Sequence, residues 1–197
     1  MGCAISGLAP KPVGDPVDEV LTVHLTDEQK ERIRDSWKII QEDISKAGII
    51  MFVRLFESHP ECKDVFFEFR NVEDPEMLRT SKELRAHGLR VMSFIEKSVA
   101  RINQNERLEQ LALDLGRKHY RYNSSPKYYA YVGVEFIHAV KPILKESWTP
   151  ELEEAWKALF LYITRMMKQG YVEEERKQRN AMAEPSKEKP ERGLNAI

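Results

Sequence analysis

Apolar residues recur at helical spacing through the middle of this chain and thin out at both ends. Thr26-Asp27-Glu28-Gln29 has the form of a capping box, with the Thr26 hydroxyl and the Gln29 side chain placed to satisfy free amides of a first turn. Ile33, Trp37, Ile40 and Ile44 follow at three- and four-residue intervals and predict one buried stripe. Ile49 to Phe56 is a second apolar stretch, closed by Ser58-His59-Pro60. A further helix is expected where Leu84, Val91, Ile95 and Val99 share a face, with His87 on the same stripe. The next carries Leu108, Leu111, Ala112, Leu115 and His119. Ser125-Pro126 opens another, since proline suits the first helical position, and it should reach Pro142 or a little past it. Thr149-Pro150 opens the last, with Leu152, Trp156, Leu159, Ile163 and Met167 at helical spacing. The alternating run from Tyr129 to Phe136 sits better on a helix than on a strand. The pattern predicts an all-α fold.

The ends read differently. Gly2, Gly7, Pro10, Pro12, Gly14 and Pro16 break any helical period, so residues 1–24 are expected to be a flexible leader. From about Glu173 the chain is charged and nearly free of large apolar side chains. Residues 171–197 are therefore expected to be disordered or to fray from the last helix. One domain, residues 25–170, lies between.

Composition narrows the function classes. The 197 residues allow one domain with a sizeable core. A net charge of −1 gives no reason to expect a nucleic-acid partner. No apolar run is long enough to cross a bilayer, and no basic segment followed by an apolar one marks a signal peptide. Of the two cysteines, Cys3 lies in the leader, so a structural disulfide is not expected and a reducing compartment fits. Cys62 reads as a free, partly buried thiol.

Two histidines carry the chemistry. A lone histidine on an apolar face is more often a core residue bonded to backbone than a ligand. Here His87 and His119 each fall on the buried stripe of their own helix. Small Gly88 and Val91 follow His87 and are expected to leave room for a flat ligand and a diatomic gas. No Cys-x-x-Cys, His-x-x-x-His or carboxylate cluster has zinc spacing. Two imidazoles across an apolar slot suit haem iron, and the lack of Cys-x-x-Cys-His means the haem would be held non-covalently. The other histidines read blandly: His24 in the leader, His59 exposed at a helix junction, His138 packed or at the surface.

These residues resemble the globin family over about Leu25 to Gly170. Leu25-Thr26 followed by Trp37 resembles its first helix; His59-Pro60-Glu61, then Phe66 and Phe69, its third helix and the corner after it. Leu84 to Val91 resembles the distal helix, and Leu115-Gly116-Arg117-Lys118-His119 the proximal helix. The resemblance implies a three-on-three helical sandwich around haem b. It makes His119 the proximal ligand and His87 the distal histidine, with Phe66 against the haem face and Val91 lining the gas site. Phe69, Leu115 and Val132 join the expected haem contacts, with Tyr128 and Tyr129 as further candidates at the proximal edge. The segment Tyr120 to Ser125 departs from the pattern, being more polar than the corner many globins place there. Arg90 either pairs with a haem propionate or is an exposed helix charge. The residues before His119 are similar to neuroglobins, and the Met1-Gly2-Cys3 leader with its charged tail resembles the membrane-attached group called globin X. That likeness implies bis-histidine iron, with His87 as sixth ligand.

The leader also bears on location. Gly2 with Ser6 fits N-myristoylation. One myristoyl chain binds membranes only marginally. Residues 4–24 hold Lys11 against Asp15, Asp18 and Glu19, so electrostatics add nothing. S-palmitoylation of Cys3 is the natural second anchor, placing the chain on the cytoplasmic face of the plasma membrane. Three functions then compete: binding oxygen, carbon monoxide or nitric oxide for storage or sensing; electron transfer from an unknown reductase, or nitrite reduction; and signalling through ligation state. An anchor argues against bulk oxygen transport. No Ser-His-Asp, Cys-His or nucleotide-binding arrangement points to a haem-free enzyme.

Overall fold

A computed structural model describes residues 25–66 and 69–183. Gly2, Cys3 and His24 lie outside the described residues, as do residues 184–197. Seven α-helices make up the described fold: α1 (Asp27–Ile40), α2 (Ile44–Ser58), α3 (Pro75–Thr80), α4 (Lys82–Ala100), α5 (Asn105–Arg121), α6 (Tyr129–Leu144) and α7 (Pro150–Ala183). Short 3-10 turns precede α2, follow α2, and flank α6. No strand occurs among the described residues. None of these helices is long and apolar enough to cross a membrane.

Helix starts follow local chemistry. The Thr26 hydroxyl accepts from the Gln29 amide at 3.2 Å while the Gln29 side chain accepts from the Thr26 amide at 3.0 Å, so the capping box is closed both ways. Ser81 caps α4 by accepting from the Leu84 amide at 3.1 Å. Thr149 does the same for Leu152 at the start of α7, 3.2 Å away. The helix expected from Ser125-Pro126 begins slightly later: Pro126–Tyr128 forms a 3-10 turn and α6 starts at Tyr129.

The helices form two layers, α1, α4 and α5 over α2, α6 and α7, with α2 crossing α4 and α5 crossing α7. Trp156, Phe136, Phe52, Phe56, Ile33 and Ile40 are fully buried between them. The Trp156 indole donates to the Ser36 hydroxyl at 3.1 Å, which satisfies the polar edge of the largest core side chain.

Two glycine pairs let the layers approach. A Cβ added at Gly48 would lie 3.0 Å from the Gly88 carbonyl carbon, and one at Gly88 would meet Gly48 equally closely. The space beside Gly88 was expected to serve a ligand; the backbone of α2 fills it instead. Gly116 and Gly170 do the same for α5 and α7: a Cβ on Gly116 would collide with the Met167 carbonyl oxygen, and one on Gly170 with that of Leu113.

The charged end of the domain also departs from expectation. Over 171–183 the chain is helical, continuing α7 to Ala183. Arg117 donates to Glu173 at 2.8 Å, and Arg121 pairs with Glu174 at 3.1 Å. Tyr120 meets Tyr171 edge-on, 5.2 Å between ring centres. Glu174 is buried, and Gln178 donates to it as well, at 3.0 Å. A segment that can bury little apolar surface is held here by complementary charge on α5.

Candidate functional site

Helix α4 presents His87 and α5 presents His119, both half-buried. Gly88, the residue after His87, is the point where α4 touches α2. One turn beyond Gly48 on α2 comes Phe52, whose ring meets the His87 ring edge-on at 4.9 Å. Phe66, after the turn that follows α2, meets His87 the same way, also at 4.9 Å. The imidazole is thus gripped by two phenyl rings. Phe69 is buried and packs 6.2 Å from Phe66. Val91, Leu115 and Val132 are half-buried against the core.

His119 is held by its own helix. Its Nδ1 lies 2.9 Å from the Leu115 carbonyl oxygen. A carbonyl only accepts, so Nδ1 carries the ring proton and Nε2 is left with a free lone pair. That is the tautomer a metal needs from a histidine. The Tyr129 ring packs edge-on against His119 at 5.3 Å, and its hydroxyl donates to the Ser124 carbonyl at 3.3 Å. Tyr129 therefore borders His119, whereas Tyr128 packs on Tyr131, 6.5 Å away.

Electrostatics keep both rings neutral near pH 7. Burial, with help from the Arg90 and His119 charges, pushes His87 down to about 4. Burial also lowers His119, although its bond to the Leu115 carbonyl works the other way. Burial of the Tyr129 phenol raises its pKa, so it stays a neutral neighbour.

Arg90 is exposed and reaches back one turn, its guanidinium nitrogen 3.1 Å from His87 Nδ1. Of the other histidines, His59 is half-buried rather than exposed, stacked on Tyr131 at 3.7 Å with the rings 3° from parallel. His138 is exposed and lies 3.3 Å from Glu135. Cys62 is fully buried, and burial raises its thiol to about 11, so it stays protonated.

Sequence reasoning missed Phe52, Glu135, Glu173 and Glu174, and it named Leu115 only as a side-chain contact. Phe52 was hidden in an apolar run where every position looked alike. Leu115 acts through its carbonyl, not only its side chain. Buried Glu135, paired with Arg54 at 2.9 Å, sat unmarked in α6. The Glu173 and Glu174 partners of Arg117 and Arg121 lay in the presumed tail. A charged residue at helical spacing from buried neighbours, as Glu174 is from Met167 and Gly170, was the available signal for the last.

The donor set fits haem. One imidazole on α5 offers a bare Nε2, a second comes from α4, and the rings of Phe52, Phe66 and Tyr129 pack against them. Among the described residues no group of three or more His, Cys, Asp or Glu side chains is placed to hold a metal ion.

A two-layered all-helical fold with one histidine from each of two neighbouring helices defines a class, and sequence comparison names it. The Globin family model matches residues 50–167, and the chain belongs to the globin family. It is 31% identical to neuroglobin of Dissostichus mawsoni over 148 residues, 75% of this chain and 93% of that protein. It is 28% identical to cytoglobin-2 of Danio rerio, covering 71% of this chain and 81% of the other. Among solved structures, a hexacoordinated heme protein from an anhydrobiotic tardigrade superposes with a TM-score of 0.70 at 23% identity, over 75% of this chain and 96% of that one. That likeness is one of fold.

Proposed function

We propose that this chain is a bis-histidine haem globin that works at the cytoplasmic face of the plasma membrane. The observation that carries the haem reading is the His119–Leu115 hydrogen bond, which leaves Nε2 bare on the one histidine bordered by Tyr129. When bound, haem b supplies a site for oxygen, carbon monoxide, nitric oxide or nitrite, together with one-electron redox chemistry.

The chain's own residues divide the work. His119 would hold the iron through Nε2, its ring orientation fixed by the Leu115 carbonyl. His87, gripped by Phe52 and Phe66, would be the second imidazole to hold the haem, and a gas would then have to compete with it, lowering apparent affinity by the open fraction. Phe66, Phe69, Val91, Leu115 and Val132 exclude water from the slot. The hexacoordinated heme protein of the tardigrade shares this fold, and neuroglobin is a relative along most of its length, which supports the same ligation here. Two like ligands change little with oxidation state, a property that suits electron transfer.

Gly2 and Cys3 carry myristoyl and palmitoyl chains in this reading, and a fixed location favours local redox chemistry or signalling over bulk oxygen transport. The absorption spectrum of the reduced, ligand-free protein is the test. Sharp paired visible bands are expected. One broad band would show a vacant sixth position, and a His119→Ala protein that keeps full haem would end the proximal assignment.

A further inference from the structure

The two histidines carry their ring protons on opposite nitrogens. At His119 the acceptor is a carbonyl, so the proton is on Nδ1. At His87 the partner of Nδ1 is a guanidinium, 3.1 Å away. A guanidinium has donors and no acceptor, so Nδ1 of His87 must accept. Its ring proton then sits on Nε2. A protonated nitrogen has no lone pair for a metal but is a ready hydrogen-bond donor. Phe52 and Phe66, which grip the ring from its other sides, offer it no hydrogen bond of this kind.

We propose that Arg90 is a positioning residue that decides the role of His87: while Arg90 donates to Nδ1, the ring is an Nε2–H donor and stays off the metal. Coordination by His87 requires Arg90 to leave Nδ1. The ring loses its Nε2 proton to water and takes one from water at Nδ1, with no net change in charge. Arg90 thus acts as a brake on six-coordination. Its exposure lets it leave without disturbing the core. This inference rests on the reading of His87 as sixth ligand.

The test compares the haem-loaded parent with Arg90→Leu, Arg90→Lys and His87→Leu. Losing a charge-assisted hydrogen bond to the open form should raise the six-coordinate fraction of Arg90→Leu. It should slow carbon monoxide association by roughly tenfold or more. Lysine is also donor-only, so Arg90→Lys should lie between Arg90→Leu and the parent. A second readout is independent of ligand kinetics: ¹⁵N shifts of the histidine ring in the diamagnetic ferrous carbon monoxide form. The parent should show His87 protonated on Nε2, and Arg90→Leu should show added Nδ1–H form. A proton on Nδ1 in the parent, or carbon monoxide binding in Arg90→Leu as fast as in the parent, overturns the proposal. If Arg90→Leu instead loses haem faster with its tautomer unchanged, Arg90 is a propionate anchor and the proposal also falls. The His87→Leu arm separates the two readings. Faster binding there with no Arg90 effect defeats this inference alone, while unchanged binding in His87→Leu removes the sixth-ligand assignment beneath it.

Discussion

Arg121, two residues beyond His119, reaches across to the buried carboxylate of Glu174, 3.1 Å away on the far end of α7. Arg117, two residues before His119, makes the equivalent bond to Glu173. His119 is thus bracketed by two ion pairs to a stretch of helix that lies beyond the family-matched region, residues 50–167. Gly116 and Gly170 bring the two backbones close enough for these side chains to meet.

Removing either partner of the Arg121–Glu174 pair should have unequal effects. Arg121→Ala strands a buried carboxylate with Gln178 as its remaining donor, whereas Glu174→Gln removes the charge that needs a partner. The thermal midpoint should fall in both variants and fall further in Arg121→Ala. A larger drop in Glu174→Gln would mean the pair is not what matters there.

Gly116→Ala should disturb α5 more than its size implies. The new methyl meets backbone rather than a yielding side chain, and overpacking of this kind costs about 1–3 kcal/mol. Urea unfolding should show that loss, and haem should dissociate faster because His119 lies one turn away. Parent-like stability would show that the two helices can part without cost.

Acid should weaken the haem-free protein through its histidines. A free imidazole titrates near 6.5, while burial holds His87 at about 4 and lowers His119 as well. Between those values the unfolded chain binds more protons than the folded one, so stability falls as pH drops from 6.5 toward 4 and is complete above 6.5. The His87 share is on the order of 1–3 kcal/mol. Urea midpoints at pH 7 and pH 4.5 measure it: the drop should be smaller in His87→Leu, and an equal drop would locate the acid sensitivity elsewhere.

Membrane attachment should depend on both ends of the lipid signal. Gly2→Ala is expected to abolish it, while Cys3→Ser leaves a weakly held, partly soluble population, because one myristoyl chain at about 0.8 kcal/mol per buried methylene binds only marginally. Cell fractionation with metabolic labelling of both acyl chains reads this out. A Gly2→Ala protein still in the membrane fraction would place the anchor in a partner.

What the sequence determined by itself is whatever repeats along one helix. The stripes of α1, α4, α5 and α7 were legible because burial of one face forces apolar residues to recur every three or four positions, and the same periodicity put His87 and His119 on inward faces. The Thr26–Gln29 capping box and the prolines marked where helices begin because those signals act within four residues. Tertiary structure decided what lies opposite each face. Gly88 shows in sequence as a missing side chain, and only the crossing of α2 settles that backbone fills the space. Residues 171–183 look unable to bury anything until Arg117 and Arg121 stand across from Glu173 and Glu174, since a charge can be buried only beside its complement. Phe52 became the grip on His87 by its place one turn past Gly48. The ring partners, by contrast, are local: Leu115 lies four residues before His119 and Arg90 three after His87, each on the same helix. A carbonyl can only accept and a guanidinium only donate, so the way each ring turns toward its neighbour, which the packing around it fixes, decides which nitrogen carries the proton.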